Sequence, residues 1–508
     1  MLWALTNLRR CPPYEPPPSW DNEMSLKEKT ITGVVWAVAQ RWGARLFGFV
    51  VLFLLARLLG PEDFGLIALA TAFIAFADVF VTGAFTAAIV QRDDLEPEHL
   101  DTAFLVNLGV GFLAIAVSFV AAPLIAEGTS EPLLAPVIRW LSLSFVLGAL
   151  SNVQNAVLQR DFAYKSLAMR HLAGVLSGGV IGIAMAFLGF GVWSLVAQQL
   201  VTLAVSTAVL WYLSDWRPAF RFYKRHFDEL FGFEVNILGS NVLNFFNRRA
   251  DDLLIGFFLG PVALGFYSLA YRIVYILTEL FVSALSEVAF NSFSRMQNDT
   301  ERMKRNFYNA TRLSSLFAFP VFIGLALVSP ELISGIFGER WTQSIRVLQI
   351  LAFMGILQSV TPFNDVVIKA SGKSAWVLLL KFISAAINII GFLIAVRFGI
   401  TVVAAVLVIR GYLLLPLSLF LVNKLVDLDT SEYLSQYVNP LLSSFVMAAV
   451  ILLAKYFLPT AHPLLELASY IAIGGATYIA MIRFTSPELY RYAYELFGQA
   501  VPGLNRAN

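Results

Sequence analysis

One stretch near the start of the chain predicts its architecture because it occurs twice. The first copy reads Leu59-Gly60-Pro61-Glu62-Asp63-Phe64-Gly65-Leu66-Ile67-Ala68-Leu69-Ala70. The second reads Leu259-Gly260-Pro261-Val262-Ala263-Leu264-Gly265-Phe266-Tyr267-Ser268-Leu269-Ala270. Each copy joins two apolar runs, and Gly-Pro suits a tight reversal because Pro cannot continue a helix and Gly accepts unusual backbone angles. These two copies, the first and second repeat turns, predict an internal duplication.

The composition predicts an all-α membrane protein. Of the 508 residues, 58% are hydrophobic and 14% are charged, which is too apolar for soluble globular domains. Short connections leave no room for a soluble catalytic domain. The sequence also lacks a complete Gly-x-x-x-x-Gly-Lys-Ser/Thr phosphate-binding loop for ATP hydrolysis, since Gly372-Lys373-Ser374 has Val367 in place of the first glycine. The four histidines lack the spacing of metal ligands. We therefore expect no catalytic or metal site, no cofactor and no nucleic-acid partner.

The apolar runs predict about fourteen transmembrane helices, since each is close to the ~20 residues that span a bilayer. They lie near 31–58, 64–90, 101–126, 134–158, 166–188, 191–213, 232–259, 264–290, 307–328, 344–368, 375–396, 400–422, 436–457 and 464–483. The resulting division is 1–29 as a disordered tail, 30–213 and 231–425 as six-helix bundles, 214–230 as a linker, 426–485 as two extra helices and 486–508 as an amphipathic tail. Met24 is the expected natural start.

Lys and Arg alternate between the two sets of loops, which predicts the orientation of the chain. One set carries most of the cations, including Arg92, Arg160, Lys224 and Arg225, whereas the set containing the two repeat turns carries almost none. Both termini are therefore expected on the cytoplasmic side of a bacterial inner membrane. An even number of spans agrees with this orientation.

Later matches extend the duplication beyond the repeat turns. Ile138-Arg139-Trp140-Leu141 corresponds to Ile345-Arg346-Val347-Leu348, and Phe190-Gly191 corresponds to Phe398-Gly399. Ordered matches at nearly constant offset predict two parallel six-helix repeats around a central cavity. Transporters that rock two bundles around a central site have this architecture.

Ionisable residues inside the expected spans are the candidate site residues. An ionised side chain at the centre of a lipid-facing helix costs about 2.5–3.5 kcal/mol on insertion scales, so such residues should face a wet cavity or a partner. The first span holds Arg41 and Arg45. The seventh span holds Arg248, Arg249, Asp251 and Asp252. In the repeat frame positions 41, 45, 48 and 52 share one helix face, so the two copies should face each other across the centre.

Weaker candidates lie in other spans. They are Asp78 in the second span, Arg272 and Glu279 in the eighth, and Lys381 and Arg410 further on. The alternative for the arginines is a structural salt bridge with an aspartate. For Lys381 and Arg410, cavity lining and pairing between helices are both open.

Three segments resemble the bacterial polysaccharide (O-unit type) flippases. The first is Lys29-Thr30-Ile31-Thr32-Gly33-Val34-Val35-Trp36, followed by Ala56-Arg57-Leu58 and the first repeat turn. The second is Gln159-Arg160-Asp161-Phe162 within 152–164, and the third is Asp251-Asp252-Leu253-Leu254-Ile255-Gly256. The likeness runs from about 24 to about 425 and thins over the last spans. It implies the polysaccharide transporter branch of the multidrug/oligosaccharidyl-lipid/polysaccharide exporter superfamily.

The resemblance implies a secondary transporter that moves undecaprenyl-diphosphate-linked repeat units for exopolysaccharide, capsule or O-antigen synthesis. Alternating access would be coupled to H+ or Na+, with membrane lipid and the polysaccharide polymerase and assembly machinery as further partners. Arg can clamp a diphosphate with paired hydrogen bonds. The expected substrate-binding residues are Arg41, Arg45, Arg248, Arg249 and Arg272. The expected ion-coupling residues are Asp78, Asp251, Asp252 and Glu279.

Two other functions stay open at the level of sequence. A drug/cation antiporter of the same superfamily should favour acidic and aromatic side chains in its cavity, whereas the candidates here include many arginines. A membrane glycosyltransferase or polymerase usually needs a large extramembrane loop, which this chain lacks.

Overall fold

The computed structural model describes residues 43, 47–81, 89–90, 92, 94–161, 163–294, 299–457 and 462–491, with the backbone alone at 164, 230–238, 280–292 and 294. Within these ranges every regular element is a helix. The helices are α1 (Phe47–Leu58), α2 (Pro61–Val81), α3 (Pro97–Thr129), α4 (Leu134–Leu141), α5 (Leu143–Arg160), α6 (Tyr164–Phe187), α7 (Val192–Leu213), α8 (Lys224–Ser294), α9 (Thr300–Leu332), α10 (Ser344–Ala370), α11 (Ser374–Ala395), α12 (Ile400–Val426), α13 (Thr430–Phe457) and α14 (Pro463–Thr485).

Twelve helical segments among the described residues are long and apolar enough to cross a membrane, which confirms the all-α polytopic fold. One of them, Gly239–Glu279, contains most of the seventh expected span and part of the eighth within the single long helix α8. The count of fourteen stays a prediction, because much of the first expected span lies outside the described residues. Helix α8 also begins at Lys224, inside the expected linker, so the end of the linker is continuous with the seventh span.

The second repeat turn bends α8 into two arms. Gly260 has φ 81° and ψ 176°, a backbone conformation that glycine adopts without steric cost, and Pro261 follows it. In the first repeat turn, the Gly60 amide instead donates to the Asp63 carboxylate at 3.2 Å, and Pro61 begins α2. Both turns therefore reverse the chain between antiparallel spans.

The two repeat turns pack directly against each other. A Cβ atom on Gly65 would lie 1.6 Å from the Pro261 carbonyl oxygen, and one on Gly265 would lie 1.9 Å from the Pro61 carbonyl oxygen. The contact is reciprocal between positions 200 apart, as a two-fold repeat requires. Glycine is needed at both positions because each helix start touches the backbone of the other.

A buried tryptophan from the second half completes this end of the protein. Trp341 is fully buried, its indole N–H donates to the Ala56 carbonyl at 2.8 Å, and its ring lies edge-on to Phe64 at 5.3 Å. The indole has both its apolar surface and its one donor satisfied. It therefore fixes the second half against α1 and α2 at the end where the repeat turns meet.

A later pair of equivalent glycines also supports the duplication. Gly191 and Gly399 have φ values of 55° and 94°, and each immediately precedes a long helix, α7 or α12. The sequence match at 190–191 and 398–399 thus corresponds to a shared backbone conformation.

The two extra helices pack on α9, outside the repeat. The Lys455 ammonium lies 2.6 Å from the Glu331 carboxylate and also donates to the Leu327 carbonyl. The Tyr478 hydroxyl donates to the Leu316 carbonyl at 2.7 Å. Apolar side chains of α9, α13 and α14 form a separate buried cluster around these contacts. These contacts attach the pair to the second bundle.

Candidate functional site

A cavity of about 1470 Å³ lies between the two halves. It is lined by pairs of residues that are 200 positions apart. Such pairs include Gly48 and Arg248, Val51 and Asp251, Ala68 and Ser268, Thr71 and Tyr271, Ala75 and Tyr275, and Val79 and Glu279. Equivalent faces of equivalent helices thus meet across the centre, as the repeat predicts. The contact between the repeat turns lies next to Phe64 and closes the adjacent end of the cavity.

The cavity is lined by candidate residues of both kinds, those expected to bind substrate and those expected to couple transport to an ion. It is lined by Arg248, Arg249, Arg272, Asp78, Asp251, Asp252 and Glu279. Arg41 and Arg45 lie outside the described residues. The inward placement of the lining residues agrees with the expectation from the sequence, because exposing these ionised side chains to lipid would cost too much free energy.

Two of the candidate aspartates have protein partners. Asp252 forms an ion pair with Arg249 at 2.8 Å, and Asp251 accepts a hydrogen bond from the Tyr267 hydroxyl at 2.6 Å. One Asp251 oxygen also accepts from the amide of Asp252. The structural salt bridge that the sequence left open is therefore present for Arg249. Of the two adjacent buried carboxylates, only Asp252 is paired with an arginine there.

Three other cations face the cavity without such a partner. Among the described residues, no acidic side chain lies within salt-bridge distance of Arg248, Arg272 or Lys381. Like charges gathered in one cavity repel one another. An anion placed among them would relieve this repulsion and accept hydrogen bonds from the guanidinium groups.

Arg410 adds a fourth cation that sequence reasoning left open. It is only 8% exposed and lines the cavity, with one terminal N–H donating to the Ser384 hydroxyl. Its Nε–H has no partner among the described residues. A buried unpaired donor costs about 1–3 kcal/mol unless a ligand or water satisfies it. Cavity lining and pairing between helices were both open for Arg410, and both are observed: it lines the cavity, and it donates from α12 to Ser384 of α11.

A second polar cluster lies at the opposite end of the helices from the repeat turns. The Nε2–H of His99 donates to the Glu229 carboxylate at 3.2 Å, and Arg92 and Arg225 also bind that carboxylate. His226 lies 2.9 Å from Glu96, and the two imidazole rings meet edge-on at 4.2 Å. The cluster joins the loop before α3 to the start of α8.

The sequence did not predict this cluster because the histidines are more than a hundred positions apart. A local signal was present, since Glu96 and His99 form a capping box in front of α3. Glu96, His99 and His226 place their ligand atoms within 4.8 Å of one another. However, His99 Nδ1 accepts the amide of Glu96, so the proton of the neutral ring lies on Nε2 and points at Glu229. The arrangement is therefore a hydrogen-bonded network. The Nδ1 lone pair of His99, which a metal ion would need, already accepts a hydrogen bond from Glu96.

Glu229 is the centre of this network, and its replacement should loosen the start of α8. Hydrogen bonds from His99 and Arg225 lower the pKa of Glu229 to about 2 from 4.5. Because the pKa is depressed in the folded state, the stabilisation is complete above 4.5 and is lost as the pH falls towards about 2. We expect Glu229→Gln to lower the thermal unfolding midpoint in detergent by an amount that is constant near neutral pH.

The pH profile of this difference is the diagnostic measurement. The contribution of the carboxylate should decline only at acidic pH, below its ordinary pKa of 4.5. Glu488→Gln is the matched control, since Glu488 is exposed and makes no hydrogen bond among the described residues. A Glu229→Gln variant as stable as the control at neutral pH would contradict the role of the network.

The fold and cavity define a class of protein, the two-bundle membrane transporters with a polar central site. A solved structure described as the lipid II flippase MurJ, inward closed conformation, matches 89% of this chain and 99% of its own with a TM-score of 0.74 at 17% identity. An inward-facing multidrug resistance MATE family transporter matches 76% of this chain and 96% of its own, with a TM-score of 0.58 at 15% identity. At these identities the likeness concerns the fold.

Sequence comparison then assigns the family. The model of the polysaccharide biosynthesis protein family matches residues 54–346, more than half of the chain. The succinoglycan biosynthesis transport protein ExoT of Rhizobium meliloti is 28% identical over 480 residues, covering 92% of this chain and 95% of its own. The lipopolysaccharide biosynthesis protein WzxC of Escherichia coli is 29% identical over 339 residues, covering 66% and 69%.

This chain belongs to the polysaccharide biosynthesis protein family, among the polysaccharide flippases of the exporter superfamily. The resemblance inferred from the repeat turns and the seventh span is confirmed. The family consists of transporters, which decides against the glycosyltransferase or polymerase alternative.

Proposed function

We propose that this chain moves undecaprenyl-diphosphate-linked oligosaccharides across the inner membrane for the synthesis of a surface polysaccharide. The observation that carries the proposal is the set of cavity cations without an acidic partner, Arg248, Arg272 and Lys381, together with the half-satisfied Arg410. A diphosphate offers oxygen acceptors that guanidinium groups bind in pairs.

The dimensions of the cavity support a large polar substrate. Its volume of about 1470 Å³ exceeds the ~300–1,000 Å³ typical of drug-sized pockets. Oligosaccharide and diphosphate would occupy it together. The polyprenyl tail would stay in the bilayer, since each CH₂ group moved from an apolar to an aqueous environment costs about 0.8 kcal/mol.

The proposed mechanism is alternating access between the two bundles, 30–213 and 231–425. The repeat turns close one end of the cavity in this structure, so their separation would open it. Arg41 and Arg45 would join Arg248, Arg249 and Arg272 in binding the substrate, since the repeat puts positions 41 and 45 on the same helix face as the equivalents of Arg248 and Asp252.

For energy coupling we propose a proton or sodium site among the cavity acids Asp78, Asp251, Asp252 and Glu279. The geometry favours Asp251, because it is buried beside Asp252, and Arg249 pairs with Asp252 while Asp251 has the neutral Tyr267 hydroxyl as its side-chain partner. Two adjacent buried carboxylates disfavour each other's negative charge, which a bound proton or sodium ion would relieve. Release of the anionic substrate would remove negative charge from the cavity and so change the affinity of these carboxylates for a proton or sodium ion.

The proposed location is the bacterial inner membrane with both termini in the cytoplasm. The cluster around Glu229 is then cytoplasmic, and the repeat turns are periplasmic. This places the loading end of the cavity near the enzymes that build the lipid-linked unit, and the release end near the polymerase and assembly machinery.

Deletion of the gene tests the proposed function in cells. Lipid-linked oligosaccharide should accumulate in the inner leaflet, and the surface polymer should be lost, while expression of the intact chain restores both. Mass spectrometry of the lipid extract and polymer staining measure the outcome. Normal surface polymer in the deletion strain, with no accumulation of lipid-linked units, would refute the proposal.

A further inference from the structure

The first-bundle side of the cavity has a different chemistry from the second-bundle side. Helix α7 places Gln198, Gln199 and Thr202 in the lining, and α2 adds Thr71. Among the described residues, α1 to α7 contribute no cation to the cavity. The cations come instead from α8, α11 and α12. The described part of the first bundle therefore offers uncharged carboxamides and hydroxyls with one acid, Asp78, whereas the second-bundle side adds positive charge to its own polar groups.

The two carboxamides have unused hydrogen-bonding capacity. Neither Gln198 nor Gln199 has a side-chain hydrogen bond to another protein group among the described residues, and both are partly exposed. Each carboxamide offers two donors and an acceptor with two lone pairs. The Thr202 hydroxyl donates to the backbone carbonyl of Gln198 at 2.7 Å and packs against Gly178 of α6, so it leaves the Gln198 carboxamide free.

The helix that carries these groups is held firmly in place. A Cβ atom on Gly178 of α6 would lie 2.5 Å from the Gln198 carbonyl oxygen, and one on Gly182 would lie 2.8 Å from the Gln198 Cβ. Only glycine permits this approach between α6 and α7. The carboxamides thus project from a rigid surface, which reduces the entropy lost when they bind a ligand.

A tyrosine on the opposite bundle adds an apolar surface. Tyr275 lines the cavity and is 42% exposed, one turn along α8 from Tyr271. An aromatic face beside a few well-placed polar groups is typical of ligand pockets that fix the orientation of their ligand.

We propose that Gln198 and Gln199 of α7 form a subsite for the neutral hydroxyl-bearing sugars of the substrate. Sugar hydroxyls both donate and accept, and neighbouring hydroxyls match the paired donor and acceptor of a carboxamide. The inference rests on the proposed function and adds the orientation of the substrate in the cavity. The sugars bind α7 of the first bundle while the diphosphate binds the cavity cations, chiefly those of α8, α11 and α12, so both halves hold one substrate molecule during transport.

Binding of two lipids to the purified full chain tests the subsite. The probes are undecaprenyl diphosphate without sugar and the lipid-linked oligosaccharide purified from cells that lack this chain. The intact protein should bind the glycosylated lipid at least about tenfold more tightly, since each neutral hydrogen bond contributes roughly two- to tenfold. The double variant Gln198→Leu, Gln199→Leu should lose that advantage while its affinity for bare undecaprenyl diphosphate stays unchanged.

Bare lipid binding also reports on correct folding of the variant. Gln343→Leu is the matched control, because Gln343 is exposed and lies outside the cavity lining. Equal weakening of both lipids, or no weakening of either, would overturn the subsite and leave the proposed function standing. Failure of the intact protein to bind either lipid would instead overturn the proposed function.

Discussion

The double variant Arg248→Ala, Arg272→Ala is expected to lose export of the surface polymer while remaining in the membrane at normal levels. Each guanidinium group lines the cavity without an acidic partner among the described residues, so its removal breaks no ion pair of the protein. A hydrogen bond to a charged group contributes about 1.5–3 kcal/mol, or roughly 10–150-fold in affinity. Loss of both should weaken substrate binding more than ~100-fold.

Two comparisons make this result specific. Replacement of each arginine by lysine keeps the charge but loses the planar paired donors, so export should be intermediate. Arg346→Ala is the matched control, since Arg346 is exposed on α10 outside the cavity lining, and its export should be normal. Full export by the double alanine variant at normal protein levels would exclude these residues from the substrate site.

Replacement of Gly65 by alanine should destroy the closed contact between the repeat turns. The new Cβ would lie 1.6 Å from a carbonyl oxygen and 2.4 Å from its carbon in Pro261, and backbone atoms cannot move aside as a flexible side chain can. Overpacking typically costs about 1–3 kcal/mol, which shifts a two-state equilibrium by roughly 5–150-fold. The population should therefore move towards the conformation that is open at this end.

Labelling of a single cysteine measures this shift. Ser268→Cys places a thiol in the cavity just below the repeat turns, after the one native cysteine, Cys11, is replaced by serine. A membrane-impermeant maleimide added from the repeat-turn side should label the Gly65→Ala protein faster than the parent. Gly109→Ala is the control, because a Cβ there meets nothing within 4 Å. Equal labelling rates in all three proteins would mean that the reciprocal contact does not close the cavity.

The placement of the cavity charges could be predicted from the sequence because two independent constraints agree. The cost of inserting ionised groups into lipid requires an inward orientation, and the offset between the repeat turns identifies which helix faces meet. Arg248, Arg249, Asp251 and Asp252 accordingly line the cavity. The roles of these residues in binding and coupling remain predictions.

Other parts of the site had no signal in a single sequence. Gln198 and Gln199 lie in a helix that has no charged residue, so the insertion cost of an ionised side chain could not single them out. The cluster of His99, His226 and Glu229 depends on contacts between segments about 130 positions apart, which periodicity does not encode. The pairing of Gly65 with Pro261 likewise requires the three-dimensional arrangement, although its two-fold relation was implied by the duplication.

The central claim is that the cavity carries a lipid-linked oligosaccharide from one leaflet to the other. It is tested most directly by reconstituting the purified chain in liposomes that contain undecaprenyl-diphosphate-linked oligosaccharide with a fluorescent sugar. Chemical quenching of the fluorophores from outside then counts the molecules in the outer leaflet over time. We expect the intact protein to expose the inner-leaflet pool and the Arg248→Ala, Arg272→Ala protein to leave it protected. Equal protection with intact protein and with empty liposomes, under both an imposed proton gradient and an imposed sodium gradient, would contradict the claim.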